Sequence, residues 1–132
     1  VYAIQIDFDA TVSEREFYRK LLQELRPQLP KNIVLSMTAL ASWCADDNWL
    51  EGLPVDEAIP MIFEMGADDK TIRNFLASGA DWNEPLCQKS YGISINEPLK
   101  IDFKPNRKFY LFNYNPTGWK KSDLERLPAG VK

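Results

Sequence analysis

The first residues of the chain carry two carboxylates in a spacing suited to acid–base chemistry. Gln5, Asp7 and Asp9 alternate with apolar side chains, and side chains two residues apart in a strand point to the same face. Two carboxylates held this close raise the pKa of one of them, so that one can supply a proton while the other stays ionised. We predict that Asp7 and Asp9 are catalytic and that Gln5 binds and orients the substrate.

Aromatic and acidic residues near the ends of later apolar runs are candidates for substrate binding. Trp43 and Trp49 flank an acidic loop, and an aromatic face beside carboxylates is a surface on which a sugar ring stacks. Met61 and Phe63 share one face of a later run, and Glu97 follows the next run. We predict that these five residues contact substrate. Packing in the core is the structural alternative for the tryptophans, Met61 and Phe63.

The composition excludes several other kinds of chemistry. The 132-residue sequence contains no histidine, which excludes a Ser-His-Asp triad, a Cys-His nucleophile and a His-ligated zinc. Its two cysteines, Cys44 and Cys87, are few and widely spaced. They suggest neither a disulfide scaffold nor a zinc site, and we expect buried thiols. We predict no resident metal and no cofactor.

Charge and hydropathy limit the partners of the chain. Its 16 Lys and Arg residues stand against 19 Asp and Glu residues, a net charge of -3, which leaves no basic surface for nucleic acid. No apolar run approaches the ~20 residues that a transmembrane helix needs. We therefore predict no nucleic-acid partner and no membrane span.

Five apolar runs predict the strands that must position the candidate residues. They are Tyr2–Phe8, Ile33–Ala41, Ala58–Met65, Tyr91–Ile95 and Phe109–Tyr114. The centres of the first four are roughly 30 residues apart, the length of one strand–helix–strand unit. This spacing favours a parallel sheet with right-handed crossovers.

Two helices are predicted between the strands. Ser13 to Glu16 is typical of a capping box at the start of the first helix, and a second, short helix is predicted at Thr71–Ala77. The apolar stripe of the first helix comprises Phe17, Leu21, Leu22 and Leu25.

The predicted fold of residues 1–132 is a single α/β domain, a partial (β/α) barrel with parallel strands. A complete eight-stranded barrel takes about 250 residues, so four or five strands correspond to roughly its second half. The alternatives are an open doubly wound sheet, further strands from missing sequence, or pairing of two chains. A half-barrel has two open edges, and we expect self-association through them or completion by a missing N-terminal half.

Several segments resemble the bacterial family known as domain of unknown function 3142. They are Gln5–Ala10, Thr38–Cys44, Leu53–Phe63 with Met65-Gly66, and Tyr91–Leu99, and they occur in consistent order over most of the chain. The resemblance implies the carboxyl-terminal part of a glycosidase-like (β/α) barrel, a hydrolase-like protein that acts on or binds carbohydrate. Members of the family are usually much longer than this chain. The compartment stays open, with export of a full-length bacterial protein as one expectation.

The first strand is also distantly similar to the acidic strand of chitinase-like glycosidases. In those enzymes a glutamate that follows the alternating aspartates donates the proton. Thr11 occupies the corresponding position here. The donor would then be Asp9, Glu97 or a residue outside this chain.

Two other classes of function compete with a glycosidase. Asp7 to Val12 resembles the first motif of haloacid-dehalogenase-like phosphatases, which implies Asp7 as the phosphorylated nucleophile, Asp9 as acid/base and a bound Mg²⁺. The phosphate-binding hydroxyl of that family would be Ser36 or Thr38. Its late acidic motif would be Asp68-Asp69. The third class is a non-catalytic barrel that binds a glycan or another partner.

Overall fold

A computed structural model describes residues 1–128, 130 and 131 and contains a five-stranded parallel sheet. The strands are β1 (Ala3–Ile6), β2 (Val34–Leu40), β3 (Glu57–Met61), β4 (Ser90–Ser94) and β5 (Lys108–Phe112). Their order in space equals their order along the chain, and every neighbouring pair is parallel. The sheet forms half a barrel with flanking helices, which confirms the predicted partial (β/α) barrel. Because the strand order never reverses, the doubly wound alternative is wrong.

The helices lie in the connections between the strands. The α-helices are α1 (Arg15–Leu25), α2 (Ala41–Ala45) and α3 (Asp69–Ala77). Short 3-10 helices span Val12–Glu14, Arg26–Gln28, Asn48–Leu50, Gly66–Asp68, Pro85–Gln88 and Lys121–Arg126. The predicted second helix is confirmed as α3, which begins two residues earlier than expected. None of the described helices is long and apolar enough to cross a membrane.

The start of α1 differs from the predicted capping box. The backbone N–H of Thr11 donates to Glu14 Oε1 at 2.9 Å, so the cap lies two residues before the expected pair of Ser13 and Glu16. The sequence contains two overlapping arrangements of a hydroxyl residue followed three positions later by glutamate. The earlier one forms because a 3-10 turn precedes the α-helix.

The apolar stripe predicted for α1 is only partly correct. Leu22 and Tyr18 are fully buried, whereas Phe17 is 62% exposed and Leu21 is 38% exposed. Tyr18 and Leu22 are four residues apart and so share a face of the helix. The buried face of the helix therefore differs from the predicted one, because it includes an amphipathic tyrosine that a pattern of purely apolar residues does not predict.

The two faces of the sheet differ in chemistry. The outer face packs apolar residues of β2, such as Leu35 and Met37, into the hydrophobic core. On the inner face, Glu57 is almost fully buried and accepts hydrogen bonds from Ser36 Oγ at 3.1 Å and from the Tyr110 hydroxyl at 2.6 Å. Burial and the hydrogen bond to Glu57 raise the pKa of Tyr110 to about 12. Glu57 directly precedes the predicted third strand but is the first residue of β3. Its buried carboxylate accepts both hydrogen bonds inside the half-barrel, as a buried polar group requires.

Cys44 and Cys87 form a disulfide, so the expectation of free thiols is wrong. Both residues are buried as expected. They are 43 positions apart in sequence, yet their Cα atoms are only 5.9 Å apart. The fold packs the segment after β2 against the segment before β4, and the Asn83 side chain donates to the Ala45 carbonyl oxygen at 2.6 Å in the same place. Sequence spacing alone does not reveal this contact.

Candidate acid pair and cavity at the carboxyl end of the sheet

Asp7 and Asp9 follow β1 directly, at the carboxyl end of the sheet. The predicted strand extended to Phe8, but β1 ends at Ile6, and both acids lie in the connection that follows it. Asp7 Oδ1 accepts a hydrogen bond from Thr38 Oγ1 at 2.9 Å, and Thr38 is fully buried in β2. The Asp7 carboxylate is therefore fixed against the neighbouring strand.

The surroundings of the pair shift the titration of Asp9. Neighbouring protein atoms remove part of the hydration of its carboxylate, and the negative charge of Asp7 adds to this effect, so the pKa of Asp9 is raised above its ordinary value. Asp9 nevertheless remains exposed. The pair thus combines one carboxylate anchored by a hydroxyl with a second that retains its proton more readily and can be reached from solvent.

Tyr18 is a third proton-bearing group near the pair, and the sequence analysis missed it. Its ring lies 5.0 Å from the ring of Phe8, the residue between the two acids. Its hydroxyl is buried and makes no hydrogen bond within the described part of the chain. Burial, followed by the charges of Asp7 and Asp9, raises the pKa of Tyr18. The only sequence feature that marks this residue is its helical spacing to Leu22.

A cavity of about 170 Å³ opens between the carboxyl ends of β2 and β3. Its apolar lining includes Leu40, Met61, Phe63 and Met65, and its polar lining includes Ser42, Glu64 and Asp68. Met61 and Phe63 therefore lie where a small ligand would contact them. None of the lining residues that the structure describes is basic.

The cavity and the acid pair are next to each other. Leu40, in the cavity wall, lies two residues beyond Thr38 on β2 and pairs with Met61 of β3. Thr38 binds Asp7, and adjacent strands lie about 4.8 Å apart. Asp7 therefore lies about one strand spacing away from the cavity, at the same end of the sheet.

Glu97 contacts protein groups in this structure. Its Oε1 accepts from Arg73 Nη2 at 3.0 Å, and its Oε2 accepts from the Tyr114 hydroxyl at 2.6 Å and the Glu64 N–H at 2.8 Å. The bond to Glu97 is the main reason that the pKa of Tyr114 is raised to about 12. Glu64 has a φ of 49°, in the left-handed region, which is unusual for a residue with a side chain. Glu97 thus supports the backbone of a cavity-lining acid that the sequence analysis did not identify.

The two candidate tryptophans pack in the protein interior. Trp43 belongs to α2 rather than to a loop and is 2% exposed. Its ring lies 4.9 Å from that of half-buried Trp49, and the Arg15 guanidinium lies 5.4 Å from the centre of the Trp49 ring. Neither tryptophan is among the described residues that line the cavity. Their surroundings match packing in the core, which is the alternative to substrate binding, and Trp43 presents no free face to a sugar.

Gln5 lies within β1, two residues before Asp7 and deeper in the sheet. It is exposed and pairs in register with Ser36, two residues before the Thr38 that binds Asp7. It is therefore on the same side of β1 as Asp7. The structure places Asp7 and Asp9 directly after β1, and it places Met61 and Phe63 in the wall of the cavity at the same end of the sheet.

Three of the four supporting groups that the phosphatase resemblance implies, Ser36, Thr38 and Asp69, are bound to protein side chains, whereas Asp68 lines the cavity. Thr38 donates its hydroxyl to Asp7, and Ser36 donates its hydroxyl to Glu57. Asp69 is bound by Arg73 at 3.0 Å. Within the described residues, no group of three or more His, Cys, Asp or Glu side chains is arranged to hold a metal ion.

Comparison with known proteins adds no relative. No protein-family model, no curated protein and no solved structure matches this chain.

The coupling of the two acids predicts a measurable titration. Asp9 should titrate above its ordinary pKa of 3.8, and Asp7→Asn should lower that pKa, because one of the two causes of the shift is removed. The folded chain then holds the proton of Asp9 more tightly than the unfolded chain does. The stability contributed by Asp9 is therefore present below pH 3.8 and is lost as the pH rises through its folded-state pKa.

Carboxyl ¹³C NMR would follow this titration residue by residue. Asp102→Asn, on the exposed connection between β4 and β5, is the matched control and should leave the Asp9 curve unchanged. An Asp9 that titrates at its ordinary value, or that ignores Asp7→Asn, would show that the acids do not interact.

Proposed function

We propose that this chain acts on or binds carbohydrate at the carboxyl end of its sheet, with Asp9 as proton donor and Asp7 as its ionised partner. One observation carries the proposal: an accessible carboxyl with a raised pKa interacts with a second carboxylate, which is anchored on the strand that borders a cavity. Ligands of parallel α/β barrels bind at this end of the strands. Paired carboxylates are the groups with which most glycosidases cleave a glycosidic bond.

Each side chain has a distinct role in this proposal. A protonated Asp9 donates to the glycosidic oxygen, while the negative charge of Asp7 stabilises the positive charge that develops on the sugar. Thr38 fixes the orientation of Asp7 through its hydrogen bond. Phe63 and Met61 offer an apolar surface to one face of the sugar ring.

The charge of the site defines the class of glycan. Asp7 and Asp9 lie beside a cavity that adds Glu64 and Asp68. Like charges brought together without compensation are unfavourable. The site therefore favours neutral or positively charged sugars over uronic acids and phosphorylated sugars.

A non-catalytic glycan-binding protein is the second candidate. Thr11 stands where chitinase-like enzymes have their donor glutamate, and it caps a helix instead. Both oxygens of Glu97, the other possible donor, are occupied by protein groups. Of the two donors named within this chain, Asp9 is exposed whereas Glu97 is held by protein groups, and replacement of Asp9 distinguishes catalysis from binding.

A panel of three soluble polysaccharides tests the proposal. We expect hydroxyethylcellulose, which is neutral, or glycol chitosan, which is cationic, to retard the chain in affinity electrophoresis more than anionic polygalacturonate does. Release of reducing ends from the retained polysaccharide would show catalysis. If no polysaccharide binds, and Mg²⁺-dependent hydrolysis of p-nitrophenyl phosphate appears instead, the phosphatase assignment replaces this one.

A further inference from the structure

We propose that the hydroxyl group of Tyr18 binds a buried water that also donates to the Asp7–Asp9 pair, so that Tyr18 is a positioning residue of these acids. The water would connect helix α1 to the end of β1. This inference does not depend on whether the ligand of the site is a carbohydrate.

The hydroxyl group of Tyr18 is the part of the side chain that packing does not explain. Tyr18 is fully buried, and its ring contacts the rings of Phe8 and Trp49, whose centres lie 5.0 Å and 5.8 Å away. A phenylalanine ring would make the same aromatic contacts. The hydroxyl makes no hydrogen bond to another described group, and a buried donor without a partner is unfavourable.

Two further unpaired donors lie in the same aromatic cluster. Trp49 Nε1 and Arg15 Nε are also buried without a hydrogen-bond partner in the part of the chain that the structure describes. The Arg15 guanidinium lies 5.4 Å from the centre of the Trp49 ring, and that ring contacts Tyr18. Because buried polar groups are almost always paired, three unpaired donors on neighbouring side chains indicate that a small acceptor binds among them.

The acid pair supplies acceptors near Tyr18. Phe8, which Tyr18 contacts, is the residue between the two acids. Thr38 binds only the Oδ1 atom of Asp7, and no hydrogen bond joins the Asp9 carboxylate to another described group. Burial, followed by the negative charges of Asp7 and Asp9, raises the pKa of Tyr18. The hydroxyl thus keeps its proton and remains a donor within reach of both charges.

A water fits this place better than a charged ligand does. It can accept from the Tyr18 hydroxyl or from Trp49 Nε1 and donate to a carboxylate, and a buried water typically makes about three such hydrogen bonds. An anion is disfavoured by the charges of Asp7 and Asp9, because the charge of Arg15 is already paired with Asp47.

The proposed bridge holds the acid pair from a second direction. Thr38 binds Asp7 from β2, and the water would tie the pair to a side chain of α1. A water-mediated hydrogen bond is enthalpically nearly as good as a direct one. Tyr18 has no exposed surface, so it acts on the acids without touching a ligand.

Magnetic relaxation dispersion of ¹⁷O, which counts long-lived buried waters in solution, tests the bridge directly. We expect Tyr18→Phe to lower this count relative to the parent chain. Tyr2→Phe removes the hydroxyl of a tyrosine that is 90% exposed and should leave the count unchanged. An unchanged count in Tyr18→Phe, with folding verified by circular dichroism, would overturn the proposal.

A double-mutant cycle tests the link to the acids. We expect Tyr18→Phe to lower the equilibrium constant for folding about fivefold, the usual loss for one hydrogen bond. The loss should be smaller in a chain that carries Asp7→Asn and Asp9→Asn, because neutral acceptors form weaker hydrogen bonds than carboxylates do. In a chain that carries Asp102→Asn, which alters an exposed carboxylate, the loss should be the same as in the parent.

Urea denaturation of the six chains gives these equilibrium constants. A Tyr18→Phe variant as stable as the parent, or more stable, would show that the hydroxyl has no partner. An equal loss in all three backgrounds would show that its partner does not bind the acids. Either result would contradict the proposal.

Discussion

Replacement of Cys44 and Cys87 by alanine is expected to lower the free energy of unfolding by at least about 4 kcal/mol. The disulfide joins residues 43 positions apart, and in the chain-entropy view a cross-link that closes a loop of this length removes that much conformational freedom from the unfolded chain. Both cysteines lie in the core, next to residues of α2. Urea denaturation followed by circular dichroism would measure the loss as a lower midpoint of unfolding.

The reduced parent chain is the matched control for this variant. It retains both cysteine side chains but lacks the cross-link. The difference in free energy of unfolding between the reduced parent and the double alanine variant therefore gives the packing cost alone. Reductant should destabilise the parent strongly and leave the variant unchanged. If the parent unfolds at the same urea concentration with and without reductant, the bond does not stabilise the fold.

The disulfide is also informative about the redox conditions in which the protein is stable. Structural disulfides persist in oxidising compartments and are rare in a reducing cytosol. The Cys44–Cys87 bond is of the kind that an oxidising compartment preserves.

Replacement of Asp9 by asparagine is expected to lower the rate of polysaccharide cleavage by about 10²- to 10⁴-fold. Asparagine has nearly the same shape but no carboxyl proton, and loss of a general acid typically has an effect of this size. Binding should change little, because the cavity-lining residues Met61 and Phe63 are untouched. Reducing-end assays on a polysaccharide that the parent cleaves would give the ratio of rates.

The Asp7→Asn variant should change the pH dependence as well as the rate. In the proposed mechanism cleavage requires a protonated Asp9, so the rate should fall as the pH rises through the pKa of Asp9. Without the charge of Asp7 that pKa is lower, and the fall in rate should begin at a lower pH. Asp102→Asn, which removes an exposed carboxylate from the connection between β4 and β5, should match the parent at every pH. Unchanged cleavage in the Asp9→Asn variant would exclude Asp9 as the donor.

The architecture could be predicted from sequence because its determinants are local and repeated. Apolar runs about 30 residues apart predict parallel strands joined by crossovers, and the sheet order confirms this. The predicted first strand extends two residues beyond the end of β1, because the apolar–polar alternation continues past the last paired residue. The rotation of α1 was also wrong, because Tyr18 takes the buried position that an apolar pattern assigns to Phe17.

The candidate site was only partly accessible to sequence reasoning. Asp7 and Asp9 could be identified because their spacing alone places them together. The involvement of Thr38, Tyr18 and Glu64 depends on contacts between segments distant in sequence, as does the disulfide. The chemistry of Trp43 predicts stacking on a sugar, but its burial follows from packing against Trp49 and the rest of the core, which composition does not reveal.

The most direct test of the account is a map of where a bound polysaccharide fragment contacts the chain. Amide ¹H–¹⁵N NMR spectra would be recorded while an oligosaccharide from the retained polysaccharide is added. We expect the shifts to change at Asp7, Asp9, Met61 and Phe63 and to stay constant at Asp102. Changes confined to other surfaces, or none at saturating oligosaccharide, would contradict the claim that the carboxyl end of this half-barrel is a sugar site.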